Sequence, residues 1–217
     1  MTTAQEQFWQ SKFGDDYINR NKHSVSELDR MYQERFGQSR REMNRDFLSG
    51  LKIASVLEVG ANIGNQLAAL IKDWPAWNLE GIDINAEAIR QAKIRLPQAK
   101  IIQGSGFDLP YRDNQFDLVF TSAVLINVEQ ANLPKILGEI YRVARHYIWG
   151  YECYAPETTP INYRGVLGQV WKDDFAAHYQ KLFPLKLLKE KRYPYLNQGG
   201  NVDVMFLLEK SQLANRT

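Results

Sequence analysis

The spacing of apolar residues divides the chain near residue 50. Before that point, single apolar side chains recur at helical intervals in a polar background, as Phe8, Trp9 and Phe13 do. A second set follows the same rule, at Leu28, Met31, Tyr32 and Phe36. No strand is predicted before residue 53. Residues 1–50 are therefore expected to form a helical cap or lid.

After residue 50 the pattern alternates between short apolar runs and amphipathic helices. The apolar runs occupy residues 55–59, 79–83, 100–103, 116–120 and 147–149. The helices are predicted at residues 65–72, 86–95 and 133–144. Strands that are apolar throughout, with helices between them, indicate a parallel sheet that is covered on both faces.

The last part of the chain has a different order of elements. A loop rich in proline and tyrosine leads to a predicted helix at residues 172–182, and two strand-like runs follow at 185–191 and 202–208. These two runs are joined by a short, turn-rich segment, so they must be antiparallel, because a parallel pair needs a long crossover. The prediction is an α/β, Rossmann-like domain over residues 51–217, with a seven-stranded, mostly parallel sheet and an antiparallel C-terminal strand.

Composition is that of a globular protein with a sizeable core. The 217 residues are 44% hydrophobic and 24% charged, and 27 basic against 25 acidic residues leave a net charge of +2. This balance gives no reason to expect nucleic acid or an anionic membrane as a partner. The chain start lacks the features of a secretory signal and no apolar stretch is long enough for a membrane helix, so the cytoplasm is the expected location.

Metal chemistry is not expected. The single cysteine, Cys153, excludes an intramolecular disulfide and a site built from several cysteines. No grouping of histidine and acidic residues has the spacing of a metal site.

The main chemical signal is the segment at residues 58–64 (EVGANIG), between a predicted strand and a helix. A dinucleotide fingerprint needs three glycines, whereas here Asn62 stands between Gly60 and Gly64. Asparagine tolerates positive φ better than other non-glycine residues, so the exchange is mild. The Glu58 carboxylate suits a cationic ligand and would repel a diphosphate. The segment resembles the E/D-x-G-x-G-x-G motif of class I S-adenosylmethionine-dependent methyltransferases, and a glycine-rich turn of another nucleotide-binding fold is the alternative.

An acid also ends the second predicted strand. Asp83 lies 25 residues after Glu58, where a carboxylate can accept hydrogen bonds from both ribose hydroxyls, with Ile84 against the adenine. Dehydrogenases use an acid in the same way, so Asp83 does not discriminate between the two families. Its alternative role is to cap the helix that begins near Ala86.

Two further segments continue the resemblance. Residues 103–111 (QGSGFDLPY) and 116–119 (FDLV) are similar to the family's G-D-a-x-x-L-P-f and F-D-l-V. Ser105 replaces the aspartate that takes the adenine amino group, so Gly106 and Phe107 are expected to share that contact. Ligands in open α/β sheets bind beyond the carboxyl ends of the strands, so residues 121–126, including Ser122, are expected to flank the methionine arm. Asn127, where family members often have histidine, is expected to face the substrate side.

The flanks resemble a narrower group, the bacterial methylases associated with pseudaminic acid and other surface-sugar gene clusters. The similar segments are residues 5–9, 13–21, 154–156, 163–165, 171–175 and 206–210. The resemblance implies S-adenosylmethionine as cofactor and a small polar acceptor such as a sugar or nucleotide sugar. In this group Tyr17 and Arg20, one helical turn apart, would belong to a lid in which Arg20 holds the cofactor carboxylate. The alternative is an amphipathic helix packed on the sheet edge.

Methyl transfer from a sulfonium is an in-line displacement that depends on positioning and on exclusion of water. Glu152, after the fifth strand, is the first candidate for a base or substrate anchor, and Asn127 on the substrate side is also a catalytic candidate. The second-rank candidates are Tyr151, Tyr154, Tyr163, Arg164 and His178, and Tyr154 is the one of them expected to be catalytic. Two other functions remain open: a nicotinamide-dependent oxidoreductase, which the glycine spacing disfavours, and a non-catalytic S-adenosylmethionine-binding module.

Overall fold

The computed structural model describes residues 3–163, 165–197 and 199–211, with only the backbone at residues 166 and 167. Four helices come first, as the apolar spacing predicts: α1 (Ala4–Gln10), α2 (Lys12–Arg20), α3 (Val25–Phe36) and α4 (Arg40–Leu48). Capping boxes begin α1, α3 and α4 at Thr3, Ser24 and Ser39, where each side chain accepts a hydrogen bond from the glutamate N–H three residues on. Gly37 ends α3 with a φ of 74°.

The strands and helices then alternate close to their predicted positions. The strands are β1 (Ser55–Val59), β2 (Asn78–Asp83), β3 (Lys100–Gln103), β4 (Phe116–Ser122) and β5 (Ala144–Cys153). The helices between them are α5 (Asn65–Asp73), α6 (Ala86–Arg95) and α7 (Leu133–Val143), and a short 3₁₀ turn spans Leu125–Asn127. The last elements are β6 (Thr159–Tyr163), β7 (Val166–Lys172), α8 (Phe175–Leu182), β8 (Leu185–Pro194) and β9 (Val202–Lys210).

Seven strands form one sheet in the order β3-β2-β1-β4-β5-β9-β8. The first five are parallel, and β9 runs antiparallel to both β5 and β8. The predicted mostly parallel, Rossmann-like sheet with an antiparallel C-terminal strand is confirmed. Because β1 and β4 are neighbours whose connections leave in opposite directions along the sheet, their carboxyl ends border a crevice.

The hairpin of β6 and β7 was expected to be a loop. The two strands pair with each other in a separate two-stranded sheet, and Gly165, with a φ of 82°, lies in the turn between them. The sequence favoured a loop because the segment is rich in proline and tyrosine, although Ile161 and Tyr163, two residues apart, both line a cavity. Pro160 is tolerated in β6 because this strand pairs with β7 on one side only. The helix after the hairpin begins at Phe175 rather than at residue 172, because Lys172 still belongs to β7.

Two apolar cores lie on opposite faces of the sheet. One contains residues of α7 and α8, such as Ile140 and Phe175. The other contains residues of α5 and α6 and also Met43 and Phe47 of α4. The division of the chain at residue 50 into a helical cap and a Rossmann-like domain stays a prediction. Helix α4 lies before residue 50, yet it shares a core with the sheet.

None of the described helices has the length and apolarity required to cross a membrane. Within residues 3–163, 165–197 and 199–211, no three His, Cys, Asp or Glu side chains are grouped so as to hold a metal ion.

Candidate active site

A cavity of about 310 Å³ lies at the carboxyl ends of β1, β2 and β4. Helices α1 and α2 form its roof, and the β6–β7 hairpin closes one side. Nine of the predicted site residues line it: Tyr17, Gly60, Asn62, Asp83, Ile84, Gly106, Phe107, Ser122 and Asn127. The six others, Arg20, Glu58, Gly64, Ser105, Glu152 and Tyr154, lie outside the lining.

The glycine loop after β1 is tightly held. Gly60 has a φ of 75°, and a Cβ atom there would lie 2.4 Å from Cγ2 of Val124, so only glycine fits. The amide of Gly60 donates to the carbonyl of Ile82 at 2.8 Å, which fixes the loop against β2. Asn62 has a φ of 48°, the left-handed conformation that its position in the motif predicts. The loop therefore presents backbone rather than side chains to the cavity.

Asp83 organises the neighbouring strand end. Its Oδ2 accepts the amide of Asn62 at 2.7 Å and its Oδ1 accepts the amide of Asn85 at 2.9 Å. Burial raises the pKa of the Asp83 carboxyl, while these N–H donors oppose the shift. The alternative role of Asp83, the N-cap of α6, belongs to Asn85, whose Oδ1 accepts the amide of Ala88 at 2.9 Å. Each Asp83 oxygen accepts one amide and keeps a second lone pair, so the carboxylate, which lines the cavity, can accept further donors.

A buried glutamate and a buried arginine lie behind the glycine loop. Glu58 is 2% exposed, its Oε2 has no hydrogen-bond partner, and burial raises its pKa well above the ordinary value, although the nearby charge of Arg40 acts in the opposite direction. Arg40 is fully buried, lies over the Tyr151 ring at 4.1 Å, and its Nη2 donates to Oγ of Ser122 at 3.5 Å. Since Ser122 lines the cavity, the Arg40 guanidinium is one side chain away from the cavity.

Arg40 was missed by the sequence analysis, which placed the guanidinium role on Arg20. Arg20 is exposed and its guanidinium lies 5.7 Å from the Phe13 ring, facing away from the cavity. Tyr17, its predicted companion, does face the cavity, and its ring packs edge-on against Trp9 at 5.3 Å. The two side chains diverge because Tyr17 turns inward on α2 while Arg20 ends the helix.

Ser105 is tied to the N-terminal roof. Its hydroxyl donates to Oε1 of Glu6 at 2.5 Å and accepts the amide of Phe107 at 3.0 Å. Three residues of α1 line the cavity without having been predicted: Gln5, Glu6 and Trp9. The sequence signals for them are the resemblance of residues 5–9 to the surface-sugar methylases and the spacing of Gln5 and Trp9, four residues apart on one helical face.

The end of β4 is strained where it meets the cavity. Ala123 has a φ of 56°, which is unfavourable for a residue with a Cβ atom and marks functional segments in other proteins. Its amide donates to the carbonyl of Tyr151 at 2.8 Å, and its own carbonyl accepts Nδ2 of Asn127 at 2.9 Å. These contacts turn the chain so that residues 122–124 and 126–128 line the cavity.

Glu152 supports this turn from the far side. It is fully buried, and its carboxylate accepts the amides of Val124 at 3.2 Å and Ile126 at 3.4 Å. Burial raises the pKa of Glu152 to about 7, against hydrogen bonds that lower it. Its position outside the cavity gives it a positioning role. Tyr154 also points elsewhere, with the guanidinium of Arg192 at 4.0 Å over its ring.

The side of the cavity away from Asp83 is mostly apolar. Val128, Cys153, Ile161, Tyr163 and Val170 line it, together with Asn127. Burial raises the pKa of the Cys153 thiol, and the carboxylate of Asp203 adds to that shift. His178 lies outside the lining, with Nε2 at 3.1 Å from Oδ1 of Asp173. Arg164, another second-rank candidate, falls outside the described residues.

Part of the chain is similar to known proteins. Residues 56–146 match a family model described as a methyltransferase domain. An uncharacterized methyltransferase of Synechocystis sp. is 40% identical over 65 residues, which are 30% of this chain and 31% of that protein. The matched segments cover 29–44% of the curated relatives, so the chain spans less than half of their length.

Solved structures share the fold at low sequence identity. The PH0226 protein of Pyrococcus horikoshii has a TM-score of 0.68 at 16% identity, covering 94% of this chain and 99% of that one. A SAM-dependent methyltransferase of Methanosarcina mazei has a TM-score of 0.61 at 16% identity, covering 77% and 96%. Residues 56–146 thus match a methyltransferase domain, and the solved structures show that the fold is shared over most of the chain.

Proposed function

We propose that this protein transfers the methyl group of S-adenosylmethionine to a small, largely neutral acceptor bound beside the β6–β7 hairpin. The observation that carries the proposal is the convergence of the glycine loop, Asp83 and the turn at Ala123 on one cavity at the carboxyl ends of parallel strands. A module that only bound S-adenosylmethionine would need the glycine loop and Asp83. It would not need space for an acceptor beside them.

The residues around the cavity fit the cofactor. Gly60 leaves room for close approach, and Asp83 reaches the place where ribose hydroxyls would donate. The unpartnered Oε2 of Glu58, behind the glycine loop, is an acceptor that an ammonium group would reach through water, and the buried charge of Arg40 behind Ser122 favours a carboxylate on the same side. A zwitterionic amino-acid end thus meets an acceptor oxygen and a positive charge.

When bound, S-adenosylmethionine supplies a methyl group on a sulfonium, which becomes a neutral thioether as the new bond forms. The chain holds the acceptor in line, and its apolar walls exclude water from the reacting centre. Burial raises the pKa of both Tyr17 and Cys153, so they remain protonated and serve as hydrogen-bond donors rather than bases. Positioning therefore contributes more here than base catalysis.

This arrangement favours particular acceptors. A neutral amine is nucleophilic enough to attack without a base from the protein, and the ammonium that forms releases its proton to solvent afterwards, whereas a plain sugar hydroxyl must lose its proton to a base as the bond forms. The described lining residues include no lysine or arginine, which disfavours a diphosphate-bearing nucleotide sugar. An amino sugar or a similar small amine fits both constraints. The flanking segments that resemble surface-sugar methylases support a sugar ring.

Calorimetry with S-adenosylhomocysteine and with NAD tests the cofactor assignment. The wild type is expected to bind S-adenosylhomocysteine and not NAD. Asp83→Ala is expected to weaken that binding about tenfold or more, because two ribose hydroxyls lose a charged acceptor. Asp108→Ala is the matched control, since Asp108 is exposed and lies outside the cavity lining. Binding of NAD alone would refute the proposal.

Transfer itself is tested with radiolabelled S-adenosylmethionine and paired acceptors. Amino sugars and the corresponding hydroxy sugars are compared at equal concentration, with label incorporation as the readout. Label is expected in the amino sugars. Incorporation into hydroxy sugars alone would contradict the proposed acceptor class, and cofactor binding without transfer to any acceptor would favour a binding module.

A further inference from the structure

Helix α1 carries two buried polar atoms with no partner, both on residues that line the cavity. They are Oε1 of Gln5, whose side chain belongs to a residue that is 7% exposed, and Nε1 of Trp9. An unpaired buried hydrogen-bonding group is costly, so one on a residue that lines a cavity favours a water molecule or a ligand that pairs with it there. Because the two residues lie four apart, they present one acceptor and one donor from the same helical face.

The position of α1 identifies the part of the cavity that these atoms serve. Oε1 of Glu6, the next residue, accepts the hydroxyl of Ser105 at 2.5 Å, beyond the end of β3. On the other side, Nδ2 of Asn85 donates to the carbonyl of Trp9 at 3.0 Å, beyond the end of β2. Helix α1 therefore spans the ends of β2 and β3. Asp83 and Ile84 place the nucleoside at this end of the cavity.

The neighbouring polar groups are already engaged. The second carboxylate oxygen of Glu6 accepts the amide of Thr3 at 2.7 Å, so each of its oxygens already has a partner. The Ser105 hydroxyl donates to Glu6 and accepts the Phe107 amide. Oε1 of Gln5 is thus a buried acceptor on α1 that has no donor.

We propose that Gln5 reads the adenine base of the cofactor: its Oε1 accepts the exocyclic amino group, and Nε1 of Trp9 donates to a ring nitrogen. The inference rests on the function proposed above. Adenine presents an amino donor beside a ring acceptor, which matches this pair, and hypoxanthine inverts both positions. Helix α1 then contributes directly to recognition of the adenine base. The Ser105 hydroxyl, which stands where the family has an aspartate for this contact, donates to Glu6 instead.

The test compares S-adenosylhomocysteine with its deaminated analogue, S-inosylhomocysteine, by calorimetry on the full chain. The wild type is expected to prefer the adenine compound by about tenfold or more, since hypoxanthine sets an oxygen against Oε1. Gln5→Leu is expected to lower that preference about tenfold through weaker binding of the adenine compound. Gln5→Glu retains an acceptor oxygen and is expected to keep the preference.

Gln7→Leu serves as the matched control because Gln7 lies on the same helix and is exposed. An unchanged preference in Gln5→Leu would overturn the inference while leaving the proposed function intact. An equal loss of the preference for the adenine compound in Gln7→Leu would also overturn the inference. The effect would then come from a general change in α1 and not from the Gln5 carboxamide. Failure of the wild type to bind S-adenosylhomocysteine would instead reject the proposed function, and the inference with it.

Discussion

At the scale of single residues, the site depends on backbone positions that side chains of ordinary shape would block. Gly60 must approach Val124, and Asn62 and Ala123 hold positive φ angles on either side of the cavity. Such conformations cost of order 1–3 kcal/mol each and persist because surrounding contacts impose them. For Ala123, those contacts include the amides that Glu152 accepts on the next residues of the loop.

Glu152 makes a pH-dependent contribution to stability. Its folded-state pKa of about 7 lies above the ordinary value of 4.5, so between these limits the folded protein keeps a proton that the unfolded chain releases. The free energy of unfolding is therefore expected to fall as pH rises from about 4.5 to about 7. Relative to Glu152→Gln, the wild type should lose roughly 3 kcal/mol over this window.

Chemical denaturation of the wild type and Glu152→Gln at half-unit pH steps measures the difference between their free energies of unfolding. The contributions of all other titrating groups cancel in that difference. Glu157→Gln is the control, because Glu157 is exposed, and it should track the wild type at every pH. A constant gap between the wild type and Glu152→Gln would show that the Glu152 pKa is not raised.

At the scale of elements, the hairpin of β6 and β7 is held at its base by one carboxylate. Asp173 is 3% exposed and accepts Oγ1 of Thr158 at 2.6 Å and Nε2 of Gln130 at 3.1 Å, with His178 also in contact. Thr158 precedes β6 and Asp173 follows β7, so this cluster joins both hairpin ends to the loop before α7. The acceptor side of the cavity depends on that attachment.

Asp173→Ala is expected to loosen the hairpin and to destabilise the protein by about 1–3 kcal/mol, because buried donors lose their acceptor. Hydrogen exchange should become faster in β6 and β7 in particular. Asp174→Ala is the matched control, since Asp174 caps α8 by accepting the amide of Ala177 at 2.9 Å. It should cost about 1 kcal/mol and affect α8 alone. Unchanged exchange in the hairpin of Asp173→Ala would reject this role.

At the scale of the whole molecule, the cofactor cavity joins parts that are distant in sequence. The N-terminal helices, the strand ends and the hairpin meet around it. The ring centroids of Phe13 in α2 and Tyr163 in β6 are 6.2 Å apart, so the roof of the cavity packs against the hairpin. A ligand that contacts all three parts stabilises only the folded assembly. Its binding is therefore expected to appear in global stability.

S-adenosylhomocysteine at one hundred times its Kd should add about 2.7 kcal/mol to the free energy of unfolding. For a chain of 217 residues this corresponds to a rise in Tm of about 5–10 °C. Scanning calorimetry with NAD at the same concentration is the control and should show no shift. An absent shift with S-adenosylhomocysteine, at a concentration where calorimetry shows saturation, would mean that the ligand does not bind preferentially to the folded state.

The sequence by itself determined the parallel sheet, the glycine loop and Asp83, because these depend on local patterns. A strand that is apolar on both faces, a turn that needs positive φ, and an acid at a strand end are each specified within a few residues. The strands β1 to β5 were accordingly found close to their predicted positions.

Only the tertiary structure decided which side chains face the cavity. Glu152 follows the strand as predicted, yet the pleat and pairing of β5 turn its carboxylate behind the loop. Arg40 and Gln5 lie in helices whose sequence pattern shows an amphipathic face but not what covers it. The side-chain direction at a strand end and the docking of a helix follow from long-range packing, which local periodicity does not encode.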